Sequence, residues 1–440
     1  MDVLNTKIAS DLWKISERRI SKLCAEGRIH GAVKISGVWL LPPGSIKPKD
    51  SRIKSGRYIN TKKMKYSSNE NTDEAESQLT QDITTTNINA IDNKQMAPPR
   101  PRIISLFSGC GGLDLGFEQA GYDRVYANDF DKDAQAIFRL NLGEIDGRDI
   151  HDVDEHEIPD GDILTAGFPC QPFSNAGNRK GVHDSRGMLY KECLRIIQAK
   201  MPQVVLFENV KGLLSTNYID GRSLVDVITT DLETMNGLGY NVTYKLLNAS
   251  DYGVPQNRQR VVFIGVRKDL GKTFVFPKKE EKDKLTIRHI LDIPSEVPNQ
   301  KDWPLSPQAM NMIQYIPEGG SWKDIPDDKL PARFLRIKSD MKRYRSPNFY
   351  RRFSLNEISG TITASAQPEN CGIIHPLKNR RYNIREIARI QTFPDDFLFL
   401  DDSLKNITAM YKVIGNAVPV LLAKKLANTI MEQVFMESAV

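Results

Sequence analysis

With 440 residues, 40% of them hydrophobic, the chain is long enough for two or three domains and apolar enough for a sizeable core, which excludes a wholly disordered protein. Its apolar runs are strand-length, below the roughly 20 residues of a membrane-spanning helix, and the first residues lack a secretory signal. The net charge of +6 is unevenly spread: residues 1–65 hold 15 basic and 5 acidic side chains and residues 267–352 hold 19 and 12, while residues 101–440 as a whole are balanced. Two basic zones suit two footprints for a polyanion. Five scattered cysteines (Cys24, Cys110, Cys170, Cys193 and Cys371) form no CxxC pair. They fit a reducing cytoplasm, with neither disulfides nor a bound metal expected.

In chain order, Thr6 is an N-cap followed by Ile8, Ala9, Leu12 and Trp13 at helical spacing. Ser16 caps a second helix, Glu17–Glu26, that stops at Gly27 and has Ile20, Leu23 and Cys24 on its apolar side. Arg18, Arg19 and Lys22 point elsewhere and are candidate DNA contacts. Residues Ala32–Leu41 alternate around Gly37 like a small hairpin, or wing. The stretch resembles excisionase-like or MerR-like winged helix domains, which implies DNA binding by residues 1–60. The other reading is a small helical domain that binds protein. Residues 61–101, rich in Asn, Gln, Thr and Ser without apolar periodicity, are expected to be a flexible linker spanning roughly 35 Å.

From residue 102 the pattern becomes strand, glycine turn, helix. Ile103–Phe107, Arg124–Ala127, Asp162–Gly167, Val204–Phe207 and Val261–Ile264 are short apolar strands, with helical stretches such as Leu189–Ala199 between them. That alternation predicts an α/β fold with a doubly wound, mostly parallel sheet. Chemistry is expected at the strand ends. Glycines in Phe107-Ser-Gly-Cys-Gly-Gly-Leu-Asp-Leu-Gly116 let backbone approach a ligand, but the spacing departs from GxGxxG. Asp129 ends the next strand, where a ribose diol would be held. Phe130 offers a ring to a purine, and Asp149 an acceptor to an adenine amino group. Gly167-Phe-Pro-Cys-Gln-Pro-Phe-Ser174 puts Cys170 in a proline-stiffened loop, and Phe207-Glu-Asn-Val210 presents Glu208 at the adjacent strand end. A thiol and a carboxyl so placed make a pair for covalent catalysis. Gln256-Asn-Arg-Gln-Arg260 adds two arginines just ahead of an apolar strand.

These segments resemble motifs I, IV, VI and VIII of the DNA (cytosine-5) methyltransferase family. Arg385–Phe397 resembles motif IX, and Gly415-Asn-Ala-Val-Pro419 resembles motif X. The resemblance covers about residues 102–436. It implies Cys170 as nucleophile, Glu208 as the group on cytosine N3, Arg260 on cytosine O2 and Arg258 as support. It implies S-adenosylmethionine as cofactor, held by Phe107, Gly109, Gly111, Asp129, Phe130, Asp149, Ile150, Pro169, Leu189, Asn416 and Val418. The acid at 149 follows an inserted Arg148, a departure that weakens its match. Ser174 opens a polar, glycine-rich segment similar to the loop that closes behind a flipped base. The helix pattern after Ala417 implies a return beside motif I.

The organisation expected is then catalytic segments at 102–267 and 353–440 around a target-recognition region at 268–352. That region includes Trp303, Trp322, Arg333, Arg336, Arg343, Tyr344, Arg345, Tyr350, Arg351 and Arg352, an interleaving of arginines and aromatics that suits groove readout and phosphate grip. Arg343, Arg345 and Arg351 are the candidate DNA contacts among them. The expected function is methylation of cytosine C5 in a short double-stranded DNA sequence, by a monomer paired functionally with a restriction endonuclease. Two alternatives stay open: a DNA-binding regulator with an idle methyltransferase part, and an RNA cytosine-5 methyltransferase.

Overall fold

The computed structural model describes residues 4–5, 20–21, 24, 29, 32–35, 38–41, 100–169, 189–218, 220–280, 284–339, 349–367 and 372–436. The first predicted helix, Arg18, Arg19, Lys22, the linker to residue 99, Cys170, Ser174, Arg343 and Arg345 lie outside the described residues. The chain divides into two compact units, Met1–Gln95 and Met96–Val440.

In the first unit, β1 (Leu4–Asn5), β2 (Val33–Ile35) and β3 (Val38–Leu41) form an antiparallel sheet in the order β1-β3-β2. Ile35 pairs with Val38 and Val33 with Leu40 in the β2–β3 register. Ile20 and Cys24, one helical turn apart, are buried with Ile29 and Leu41. The two-residue β1 was not anticipated, because so short a piece carries no periodicity.

The second unit is built on a six-stranded sheet in the order β5-β4-β6-β7-β9-β8. Its strands are β4 (Arg102–Leu106), β5 (Asp123–Asn128), β6 (Ile163–Ala166), β7 (Val204–Val210), β8 (Tyr240–Asn248) and β9 (Gln259–Arg267). The first four run parallel, as expected, whereas β9 is antiparallel to both β7 and β8. Central strands are apolar on both faces because helices cover both. Ile104, Leu106, Leu164, Val205 and Phe207 pack on one face with α3 (Leu189–Lys200) and α4 (Leu224–Glu233). Ile103, Ile163, Val204 and Leu206 pack on the other with α1 (Gly112–Gln119) and α9 (Val420–Ile430). Between β5 and β6 lies α2 (Lys132–Asn141), N-capped by Asp131, whose side chain accepts from the amides of Asp133 and Ala134.

The return of α9 beside α1 is close. A Cβ on Gly116 would sit 2.4 Å from Ala423 Cβ, so only glycine permits the approach. By composition, Leu404–Phe435 is long and apolar enough to cross a bilayer, but it comprises α8 (Leu404–Asn416) and α9, and 56% of its most apolar window is buried inside the protein.

Residues 268–399 are organised differently. They contain α5 (Pro307–Ile313), α6 (Ala332–Ser339), α7 (Ile384–Ile390) and several single 3-10 turns, with no strand among the described residues. Buried arginines bind the loops by donating to main-chain carbonyls. Arg352 donates to His375, Lys378 and Ile313, Arg381 to Ala366 and Pro304, and Arg385 to Pro298, Pro394 and Phe397. This corrects the expectation that aromatics and arginines here face DNA together. Trp303, Trp322 and Tyr350 are core residues, and Trp322 packs edge-on against Phe349 at 5.8 Å. Arg351 donates to the carbonyls of Gly319 and Gly320 and pairs with Glu357 at 2.6 Å, so its guanidinium serves the scaffold. Arg333 and Arg336 on α6 remain exposed.

Candidate active site

The site forms where chain direction divides. β4 lies between β5 and β6, and the helices that follow β4 and precede β7 cover opposite faces, leaving a crevice at the carboxyl ends of β4 and β6. Phe107 leaves β4 with φ 56°, a left-handed conformation uncommon outside glycine. Gly109 follows with φ 57°, and a Cβ there would meet nothing within 4 Å, so its bare backbone faces open space. The next glycines differ. A Cβ on Gly111 would lie 2.2 Å from Leu142 and one on Gly112 2.4 Å from the Val418 carbonyl. Gly111, expected at the cofactor, therefore serves the packing of the loop on α2, while Gly112 brings the segment after α8 against the glycine turn.

Asp129 braces that turn. Its carboxylate accepts from the Gly109 amide at 2.7 Å and the Asp131 amide at 2.8 Å, and burial raises its pKa. Beside it, the Phe130 ring is 71% exposed, an unusual state for so large an apolar group. Asp149 caps the turn that buries Ile150. His151 bonds its carboxylate through Nδ1 at 2.7 Å and through the backbone amide, holding its pKa below the usual range. Pro169 and Asn416 are exposed, Val418 is buried and Leu189 is half-buried. Open space over Gly109, an uncovered aromatic face and two carboxylates fit an adenosine-containing group that carries positive charge.

On the other side of the crevice, Glu208 lies near the carboxyl end of β7 and is largely buried. Its Oε1 lies 2.9 Å from Arg260 Nε. Antiparallel pairing brings this about: Val210 faces Arg260 across the ladder, so the start of β9 meets the carboxyl end of β7. A parallel β9 would have put the arginine at the opposite edge. Glycine at 167 leaves Glu208 Oε2 within 3.7 Å of the position a Cβ would take. Arg258 is placed otherwise. It is fully buried and donates to the carbonyls of Ile362 and Gly415, both at 2.9 Å, and burial followed by the charge of Arg260 lowers its pKa. It holds the site together and touches no open space.

Sequence reasoning missed Asn209. Its amide donates to the Phe168 carbonyl at 2.9 Å, tying the end of β7 to the loop after β6, and the Phe168 ring packs edge-on against Phe207 at 5.4 Å. A polar amide closing an apolar strand was the available signal.

A doubly wound sheet with a glycine-lined crevice and an acid ending the second strand defines an S-adenosylmethionine-dependent methyltransferase fold. Solved structures share it. One is a prophage-encoded DNA modification methyltransferase of E. coli, with a TM-score of 0.55 and 24% identity over 76% of this chain and all of that one. Another is the Entamoeba histolytica methyltransferase EhMeth, with a TM-score of 0.54 and 17% identity over 77% of this chain and all of that one.

More specifically, residues 101–432 match the C-5 cytosine-specific DNA methylase family, and the chain belongs to it. It is 39% identical over 354 residues to the type II methyltransferase M.NgoFVII of Neisseria gonorrhoeae, covering 78% of this chain and 89% of that protein. It is 34% identical over 341 residues to M.HhaI of Haemophilus parahaemolyticus, covering 75% and 94%. The protein is thus a DNA cytosine-5 methyltransferase that uses S-adenosylmethionine.

Proposed function

We propose that this enzyme protects one short double-stranded DNA sequence by methylating its cytosine, as the modification partner of a restriction endonuclease that cuts the same site. Its type II relatives support that reading. In the mechanism we infer, the Cys170 thiolate adds to cytosine C6, breaking ring aromaticity and making C5 nucleophilic. Glu208 protonates N3 as negative charge grows there, and Arg260 both holds Glu208 and donates to O2. S-adenosylmethionine supplies a methyl group activated by its sulfonium. Loss of the C5 proton then lets the thiolate leave, restoring cysteine. Extrusion of the base from the duplex precedes these steps, because a stacked cytosine is out of reach.

The carrying observation is the Glu208–Arg260 pair at 2.9 Å, where the carboxyl-end segment of β7 meets the start of β9. The front unit, in this reading, is a winged helix module on a flexible linker that adds DNA affinity or represses neighbouring genes. Its +10 charge over residues 1–65 supports this. Labelled S-adenosylmethionine and plasmid DNA, followed by bisulfite mapping, test the reaction. One recurrent modified site is expected, and transfer that survives Cys170→Ser would refute the mechanism. Deleting residues 1–60 tests the front unit: unchanged salt-dependent DNA affinity would refute its role.

A further inference from the structure

Three side chains with no place in the chemistry form a buried polar chain behind the crevice. Gln391, which follows α7, is fully buried. Its Nε2 donates to the carbonyls of Ile414 at 2.8 Å and Ala417 at 3.3 Å, and its own carbonyl accepts from the Val420 amide at 3.1 Å. Its Oε1 accepts from Nε2 of Gln256 at 2.9 Å, and Oε1 of Gln256 in turn accepts from the Ile362 amide at 3.0 Å. Arg258 completes the set by donating to Gly415 and Ile362. Together they satisfy carbonyls at the end of α8, which as a helix terminus lacks enough partners of its own. A buried carbonyl left unpaired would carry its full desolvation penalty.

The turn they fix runs from Asn416 to Val418, and its Val418 carbonyl is the atom against which Gly112 is pressed. Gln391 contacts the end of α8, the start of α9 and, through Gln256, the lead-in to β9 that carries Arg260. We propose that Gln391 is a positioning residue for the methyl donor: it sets the Asn416–Val418 wall against the glycine turn without touching donor or DNA. This rests on reading that wall as part of the cofactor site.

Calorimetric titration of the full chain with S-adenosylmethionine tests it, alongside binding of target DNA and thermal melting. Gln391→Met, which keeps length but removes the donors, is expected to weaken donor affinity roughly tenfold. Gln256→Met breaks the same chain from its other end and is expected to cost a few-fold. DNA affinity should stay within about twofold in both, a selectivity that general loosening of the fold would not produce. In kinetics the loss should appear in KM for the donor more than in kcat. Wild-type donor affinity in both variants, or equal loss of donor and DNA binding, overturns the proposal. Asp129→Ala is the control on the underlying reading. Full donor affinity in that variant would place the cofactor elsewhere and take the proposal with it.

Discussion

The six-stranded sheet and the loop-rich stretch of residues 268–399 solve the same problem, fixing loops in space, by different means. Around the sheet, parallel ladders and two apolar faces hold β4, β6 and β7, and Glu208 and Asp129 sit toward their carboxyl edge. Between residues 268 and 399, side chains take over from ladders: Arg352, Arg381 and Arg385 each gather two or more carbonyls of irregular backbone. Positive charge in such a loop-rich stretch is therefore not a count of DNA contacts. A guanidinium with five donors is suited to either task.

The comparison can be broken most forcefully at the sheet edge. Glu208→Gln keeps the shape of the side chain but removes the carboxyl group that the proposed mechanism uses as proton donor, and kcat is expected to fall on the order of 10²–10³-fold with melting temperature little changed. A large stability loss with modest kinetic effect would mean the edge is structural too. Next in size is Arg385→Met, which orphans carbonyls of Pro298, Pro394 and Phe397. It is expected to cost about 3 kcal/mol in denaturant unfolding. A loss under about 0.5 kcal/mol would show that these loops do not depend on arginine.

The two regions should also respond to pH with opposite sign. In the loop-rich stretch His375 Nδ1 accepts from the amides of Leu377 and Lys378, and burial lowers its pKa from 6.5 to about 3. The unfolded chain binds that proton first, so stability drops as pH falls from 6.5 toward 3. Under the glycine turn, Asp114 is fully buried and burial raises its pKa from 3.8 to about 7. The native state there holds the proton longer, so stability drops as pH rises from 3.8 toward 7. His375→Asn, which keeps an acceptor that does not titrate, should flatten the first slope in melting experiments, and Asp114→Asn the second. Unchanged slopes would remove these groups from the account. The smallest effect expected is at the surface. Arg333→Ala and Arg336→Ala should each reduce the salt dependence of DNA binding by about one counterion while leaving stability within about 0.5 kcal/mol.

What was legible in the sequence follows the same division. Strands β4, β6 and β7 are apolar on both sides and announce themselves, and Asp129 and Glu208 stand out as acids where such runs end. The antiparallel β8–β9 pair was not foreseen. β8 is mixed in burial, from buried Tyr240 to half-exposed Tyr244, and strand direction leaves no mark on composition. Arg260 was expected at the sheet edge because it precedes an apolar strand, an inference that holds only because that strand runs backwards. Asn209, Gln256 and Gln391 were silent because their partners are remote in sequence or are main-chain atoms. Trp303, Trp322 and Tyr350 were misread because ring counts do not distinguish a solvent-facing side chain from one in the core.

The fit of Gly116 against Ala423 bears on biosynthesis. Helix α9 is translated long after α1, the helix it leans on at Gly116. A nascent chain emerging from the ribosome therefore leaves uncovered the apolar face of α1 and the sheet that α9 packs on, until residues 420–430 follow.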